Sequence, residues 1–172
     1  LKLWEALTRL GTMPGPGDVC LDLGGSPGGW TWVLASLGAK VVCVDKAPLA
    51  PHVAAMPGVS YLPGSAFAVD VAEHPGLSWL FWDVICYPGR LLTYLTRLAA
   101  RPDCPRLVCT VKFQGETDFA AIAELAAIPG GRLFHLSNNK HELTFVRLRP
   151  GEDHGLDRFF AGLPAAPPAE TP

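Results

Sequence analysis

Four polar side chains stand where apolar segments begin or end, and each could take part in moving a proton. Asp83 interrupts the apolar run WLFWDVIC near its end, Lys112 follows LVCTV, and Glu142 opens the late run ELTFVRL. Lys2 lies on an opening helical segment that a Gly/Pro stretch leads into the first apolar run. Two amines and two carboxylates gathered at one rim could orient and deprotonate a weakly acidic hydroxyl. A lysine serves as base when desolvation or a second cation makes its neutral form accessible. Carboxylates oppose that shift, but they orient the ammonium and balance charge as the acceptor loses its proton. The same residues would equally form two unrelated ion pairs capping strand ends, because lysines at strand exits are usually solvated.

A second chemical feature is the loop Asp22-Leu23-Gly24-Gly25-Ser26-Pro27-Gly28-Gly29-Trp30. Its small residues let a ligand approach the backbone, and the amides of the following helix point into the same crevice. A dinucleotide fingerprint starting at Gly24 needs glycine where Ser26 stands, and a phosphate-binding P-loop needs Lys-Ser/Thr where Trp30 and Thr31 follow Gly29. Neither fits. Asp45 closes the next apolar run about twenty residues on, the place from which a carboxylate can accept both hydroxyls of a ribose. A ribose-bearing cofactor without a critical pyrophosphate fits both features, and S-adenosylmethionine is the obvious one.

Positioning these groups requires alternating strands and helices. Strands are predicted over 19–23, 41–44, 59–62, 79–85 and 107–111, with helices over 28–37, 89–101 and 118–127. The strands are apolar on both faces, which predicts a doubly wound, mostly parallel sheet covered on two sides. Two late strands, 132–136 and 143–148, lie too close for a helix between them and are predicted to form an antiparallel hairpin. Ligands of such sheets bind outside the carboxyl ends of the parallel strands, where Asp83 and Lys112 fall. Glu142 reaches the same side because its strand starts there.

The chain has 172 residues, 49% hydrophobic and 17% charged, with 14 basic against 16 acidic residues and a net charge of -2. That excludes a disordered chain and a dedicated electrostatic nucleic-acid binder, and no apolar run is long enough for a membrane span. The organisation expected is one α/β domain over 1–150 and an extension over 151–172, disordered from position 164. Five cysteines without a Cys-x-x-Cys pair fit core thiols in a reducing compartment, and five scattered histidines give no metal spacing. The chain opens on Leu inside helical text, so it is expected to be a piece of a longer protein.

The segment DLGGSPGGWTWVLASLGAKVVCVD resembles the cofactor segment of FtsJ-like ribose 2′-O-methyltransferases, and Lys2, Asp83, Lys112 and Glu142 fall in order onto that family's Lys-Asp-Lys-Glu tetrad. The likeness runs from the first residues to about Arg149. LKLWEAL, SPGGWT and HELTFVRL look most like bacterial members that 2′-O-methylate a cytidine of 23S ribosomal RNA. The resemblance implies a Rossmann-like class I methyltransferase in the cytoplasm, S-adenosyl-L-methionine as cofactor and RNA as partner. It implies Lys112 as proton acceptor, with Lys2, Asp83 and Glu142 orienting it and the target ribose. Gly24, Ser26, Pro27, Gly28, Gly29 and Trp30 would hold the cofactor from its methionine end, with Asp45 on its ribose and Asp83 facing it. Ser65 departs from the pattern: it stands where the family usually carries an aspartate near the adenine amino group, which predicts weaker or backbone-mediated adenine recognition.

The relatives carry an RNA-binding module before the catalytic domain, which implies a separate or N-terminal module here too. Local cations for RNA are Arg90, Arg97, Arg101, Lys140, Arg147 and Arg149, though a solvated helix face explains the first three as well. Trp4, Trp79 and Trp82 are expected in the core, His135 and His141 on the surface or in strands, and the chain as a monomer. Two other readings stay open. One is a methyltransferase of a non-RNA substrate with the same cofactor site; the other is a cofactor-binding or RNA-scaffolding protein without activity.

Overall fold

The computed structural model describes residues 1–152; the extension predicted beyond 152 lies outside the described residues. In chain order the elements are α1 (Lys2–Leu10), β1 (Val19–Leu23), α2 (Gly29–Ser36), β2 (Lys40–Asp45), α3 (Pro51–Ala54), β3 (Val59–Pro63), β4 (Trp79–Trp82), α4 (Pro88–Ala99), β5 (Arg106–Lys112), α5 (Phe119–Ala126), β6 (Gly131–Phe134) and β7 (Glu142–Arg147). Two short 3-10 turns, Ala66–Ala68 and Val71–Glu73, link β3 to β4. Those turns and α3 were not predicted, being too short to carry a hydrophobic period.

The seven strands form one sheet in the order β3-β2-β1-β4-β5-β7-β6. Strands β1 to β5 are parallel, and β7 runs antiparallel to both β5 and β6. The predicted hairpin therefore exists, with its second strand inserted between β5 and the first. Alternation along the strands builds a core on each face. Cys20, Trp79, Phe81, Val108 and Val146 meet Leu3, Leu7 and Leu10 of α1 and Leu34 of α2. The alternate residues Leu21, Leu80, Trp82, Leu107 and Cys109 meet Leu91, Leu95 and Leu98 of α4 and Leu125 of α5. All five cysteines are free and buried.

Four expectations are corrected. Strand β4 stops at Trp82 rather than running to position 85, because Asp83 leaves the sheet once its amide has bonded the Leu23 carbonyl at 3.0 Å. Trp4 is 36% exposed, since the buried stripe of α1 is Leu3, Ala6, Leu7 and Leu10 and Trp4 sits off it. Arg147, expected among the cations for RNA, is buried on the interior strand β7, and α4 ends before Arg101. Trp79 and Trp82 lie in the two cores as expected, and His135 and His141 are exposed.

Candidate active site

The strand order reverses at β1, from which the chain goes to β2 and β3 on one side and later to β4 and β5 on the other. Parallel sheets bind ligands at that switch point, outside the carboxyl strand ends. A cleft of about 500 Å³ opens there, lined by Gly24, Ser26, Asp45, Ser65, Ala66, Phe67, Asp83, Val84, Ile85, Arg90 and Lys112 among others. Read across the sheet from β2, its groups are Asp45, Gly24, Asp83 and Lys112. Three strand spacings separate the first from the last, roughly 14 Å.

One end of the cleft is built locally. Asp45 ends β2, and its two carboxylate oxygens accept the amides of Ser26 and Ala47, each at 3.0 Å. Those bonds fix the carboxylate while leaving further lone pairs for a ligand's hydroxyls. The Ser26 hydroxyl donates to the Pro48 carbonyl at 2.9 Å, tying the glycine loop to the segment after β2. Gly24 has φ +79°, and a Cβ there would stand 2.7 Å from Val84 Cγ2. Beneath the loop, Asp22 is fully buried and accepts the Thr31 hydroxyl at 2.6 Å. Burial pushes its carboxyl up to about 7, with the Thr31 bond opposing and the Asp83 charge adding.

Ala66, Phe67, Val84 and Ile85 supply apolar walls for a flat ring. The Arg90 guanidinium lies 3.5 Å from the Phe67 ring centroid, stiffening one wall by a cation–π contact. Ser65 faces the same cavity. Pro27, Gly28 and Gly29 border a separate, shallower depression with Trp32 and Val53, and Trp30 packs edge-on against Phe81 at 6.2 Å. Thus only Gly24 and Ser26 of the loop line the cleft itself.

The other end is assembled from distant segments. Lys112 and Glu142 stand opposite each other in the β5–β7 register. Lys112 Nζ lies 2.8 Å from Asp83 Oδ1, an ion pair without hydrogen-bond alignment, and donates to the Asp83 carbonyl at 2.7 Å. Lys2 pairs with Glu142 and lies 3.8 Å from Asp83 Oδ1. The four side chains are 12–28% exposed. All four candidates therefore converge, in the continuous chain Glu142–Lys2–Asp83–Lys112.

Glu5, one turn beyond Lys2, holds this arrangement from outside. It accepts the Ser137 and Asn138 amides at 2.8 and 3.3 Å and the Asn138 side chain at 3.1 Å, joining α1 to the connection that delivers Glu142. Burial would raise its carboxyl, but those bonds outweigh it and hold Glu5 at about 2. Neither Glu5 nor Arg90 was singled out from sequence as a partner in the site. Glu5 could have been found from its place one helical turn after Lys2, but its partners in the β6–β7 connection could not.

The sheet and cleft are those of the Rossmann-like methyltransferase fold. Aeropyrum pernix fibrillarin, solved with natively bound S-adenosyl-L-methionine, is similar with a TM-score of 0.59 at 20% identity over 84% of this chain and 74% of that one. The Burkholderia thailandensis 1,6-didemethyltoxoflavin-N1-methyltransferase is similar with a TM-score of 0.56 at 20% identity, over 83% and 74% of the two chains. At these identities the likeness is one of fold.

The model of the FtsJ-like methyltransferase family matches residues 1–79, just under half of the chain. That segment holds Lys2, the glycine loop, Asp45 and Ser65. Ribosomal RNA large subunit methyltransferase M of Halorhodospira halophila is 40% identical over 100 residues, 56% of this chain and 29% of the relative. The protein of the same name from Alkalilimnicola ehrlichii is 30% identical over 142 residues, 78% of this chain and 39% of the relative. The chain thus spans well under half the length of either.

Proposed function

We propose that this chain transfers a methyl group from S-adenosyl-L-methionine to a ribose 2′-hydroxyl of ribosomal RNA, on a cytidine of the 23S molecule. The observation that carries the reading is the gathering of Lys2, Asp83, Lys112 and Glu142 at one end of a cleft whose other end presents a braced carboxylate. The bound cofactor supplies an activated methyl on a sulfonium. The chain's residues must hold it, place the acceptor and take its proton.

Asp45 accepts the cofactor's ribose hydroxyls, and the walls at Ala66, Phe67, Val84 and Ile85 take its base. Ser65 offers a hydroxyl where the family carries a carboxylate. Gly24 lets the ligand approach the backbone. At the far end, the Asp83 carbonyl accepts from Lys112 Nζ and the Asp83 carboxylate lies beside it as an ion-pair partner. Lys112 lines the cleft, where the acceptor hydroxyl would meet its amine. Neutral Lys112 takes the proton as the oxygen attacks in line, becoming an ammonium beside Asp83. Lys2 and Glu142 hold Asp83 and the ribose in register and balance the charge.

The names of the relatives support ribosomal RNA as substrate, and the tetrad supports a ribose hydroxyl as acceptor. RNA capture rests on a separate module, so the domain over 1–150 binds cofactor yet methylates naked RNA poorly. It works as a monomer in the cytoplasm; no helix among the described residues is long and apolar enough to cross a membrane. Mapping 2′-O-methylation across ribosomal RNA from cells lacking the gene tests the reading. One 23S cytidine mark should vanish and return with the intact gene but not with a Lys112→Met copy. An unchanged map would refute it.

A further inference from the structure

At the opposite pole, before the first residues of β4 and β5, lies a second and larger cavity of about 1040 Å³. His74, Arg101, Arg147 and Arg149 line it from separate segments, with Asp103 the one carboxylate among its described lining residues. Arg101 makes a two-pronged bond to Asp103 at 2.9 and 2.8 Å, so that pair is nearly neutral. Arg149 donates to the Leu77 carbonyl at 3.1 Å and has no carboxylate within ion-pair range among the described residues. Glu152, which accepts the Arg149 amide at 3.0 Å, is engaged by Arg106.

Arg147 is the anomaly. It is only 7% exposed, its Nε donates to the Pro129 carbonyl at 2.9 Å, and its Nη1 is buried without a hydrogen-bond partner. No carboxylate among the described residues pairs with it. A guanidinium stays charged at any ordinary pH, and burying a charge without a counter-ion is costly. Arg147 lines this cavity together with Arg149 and Arg101, and guanidinium groups gathered around one cavity match a tetrahedral oxyanion.

We infer that this cavity is an anion site for a phosphate group, centred on Arg147 with Arg149 and Arg101 at its sides. Arg147 stands opposite Leu107 and Lys112 opposite Glu142 in the β5–β7 register, so the site lies five residues, roughly 17 Å, from the proposed reaction centre. It is independent of the methyl-transfer reading and neither needs nor touches the tetrad. The phosphate could belong to an RNA backbone or to a free phosphate-bearing molecule; the chemistry recognised is the same.

The test is a thermal melt of the whole chain in inorganic phosphate against chloride at matched ionic strength. Phosphate should raise the melting temperature saturably, by roughly 3–6 °C at ten times its dissociation constant. Arg147→Met and, separately, the milder Arg149→Gln should lose most of that rise while binding S-adenosyl-L-methionine as before. A fluorescent oligoribonucleotide distinguishes the sources. Weaker binding by Arg149→Gln assigns the site to the RNA backbone, and unchanged binding assigns it to a free phosphate-bearing ligand. No phosphate-specific rise in the parent, or one that Arg149→Gln keeps in full, overturns the proposal.

Discussion

The two ends of the main cleft are built in opposite ways. The end at Asp45 comes from one stretch of chain, positions 22 to 67, and is braced largely by backbone groups: the Ser26 and Ala47 amides hold the carboxylate. The end at Lys112 takes one side chain each from α1, the exit of β4, and strands β5 and β7, and is braced by ion pairs between them. A locally built end should fail one contact at a time. An assembled end should fail together when any element shifts, because each charge is placed by another.

Asp45→Ala should have the largest effect on the local end. It removes the ligand carboxylate and frees two loop amides, so cofactor affinity should fall by roughly 10- to 100-fold, read by calorimetry. A change below twofold would move the ribose elsewhere.

Glu5→Gln probes the assembled end from a distance. Turnover should fall roughly fivefold while cofactor affinity stays put, because α1 loosens against the β6–β7 connection that carries Glu142. The same variant carries a pH signature. The Glu5 carboxyl is held at about 2 in the folded chain against an ordinary 4.5, so its contribution to stability is complete above 4.5 and disappears as pH falls toward 2. The gap in melting temperature between parent and Glu5→Gln should close over that window. A gap independent of pH would assign the effect to packing.

Ser65→Asp should give the smallest change, an affinity gain of roughly threefold, by adding a carboxylate to the cleft wall proposed to take the cofactor's base. A loss instead would mean that the cavity walls around Ala66 and Phe67 already satisfy the base.

How much was legible follows the same division. The parallel strands could be read because β1, β4 and β5 are buried on both faces and so appear as continuous apolar runs. That Gly24, Ser26 and Asp45 meet at the switch point could be read because a strand end, a glycine-rich turn and the next strand end follow at a short, fixed spacing. The strand-end tetrad was legible only as a possibility, since its assembly depends on β7 entering antiparallel beside β5, which puts Glu142 across from Lys112.

What escaped the sequence was governed by contacts between distant segments. Glu5 looks like any helix-surface acid until its partners at positions 137 and 138 are known. Arg147 was read as one of several cations for RNA, and its burial follows from β7 lying between two neighbouring strands. The lining of the cleft also stops short of Pro27–Trp30, where the chain turns into α2 and faces Phe81 and Val53. Small residues announce a close approach without saying on which side it happens.

The most direct test of the central claim is Lys112→Met, assayed for cofactor binding and single-turnover methyl transfer on the same preparation with ribosomal RNA. Cofactor affinity should stay within about threefold of the parent, while the transfer rate falls by roughly 10²- to 10⁴-fold. A variant that binds normally and still transfers at the parental rate would contradict the assignment of Lys112 as the proton acceptor, and with it the role of the whole cluster.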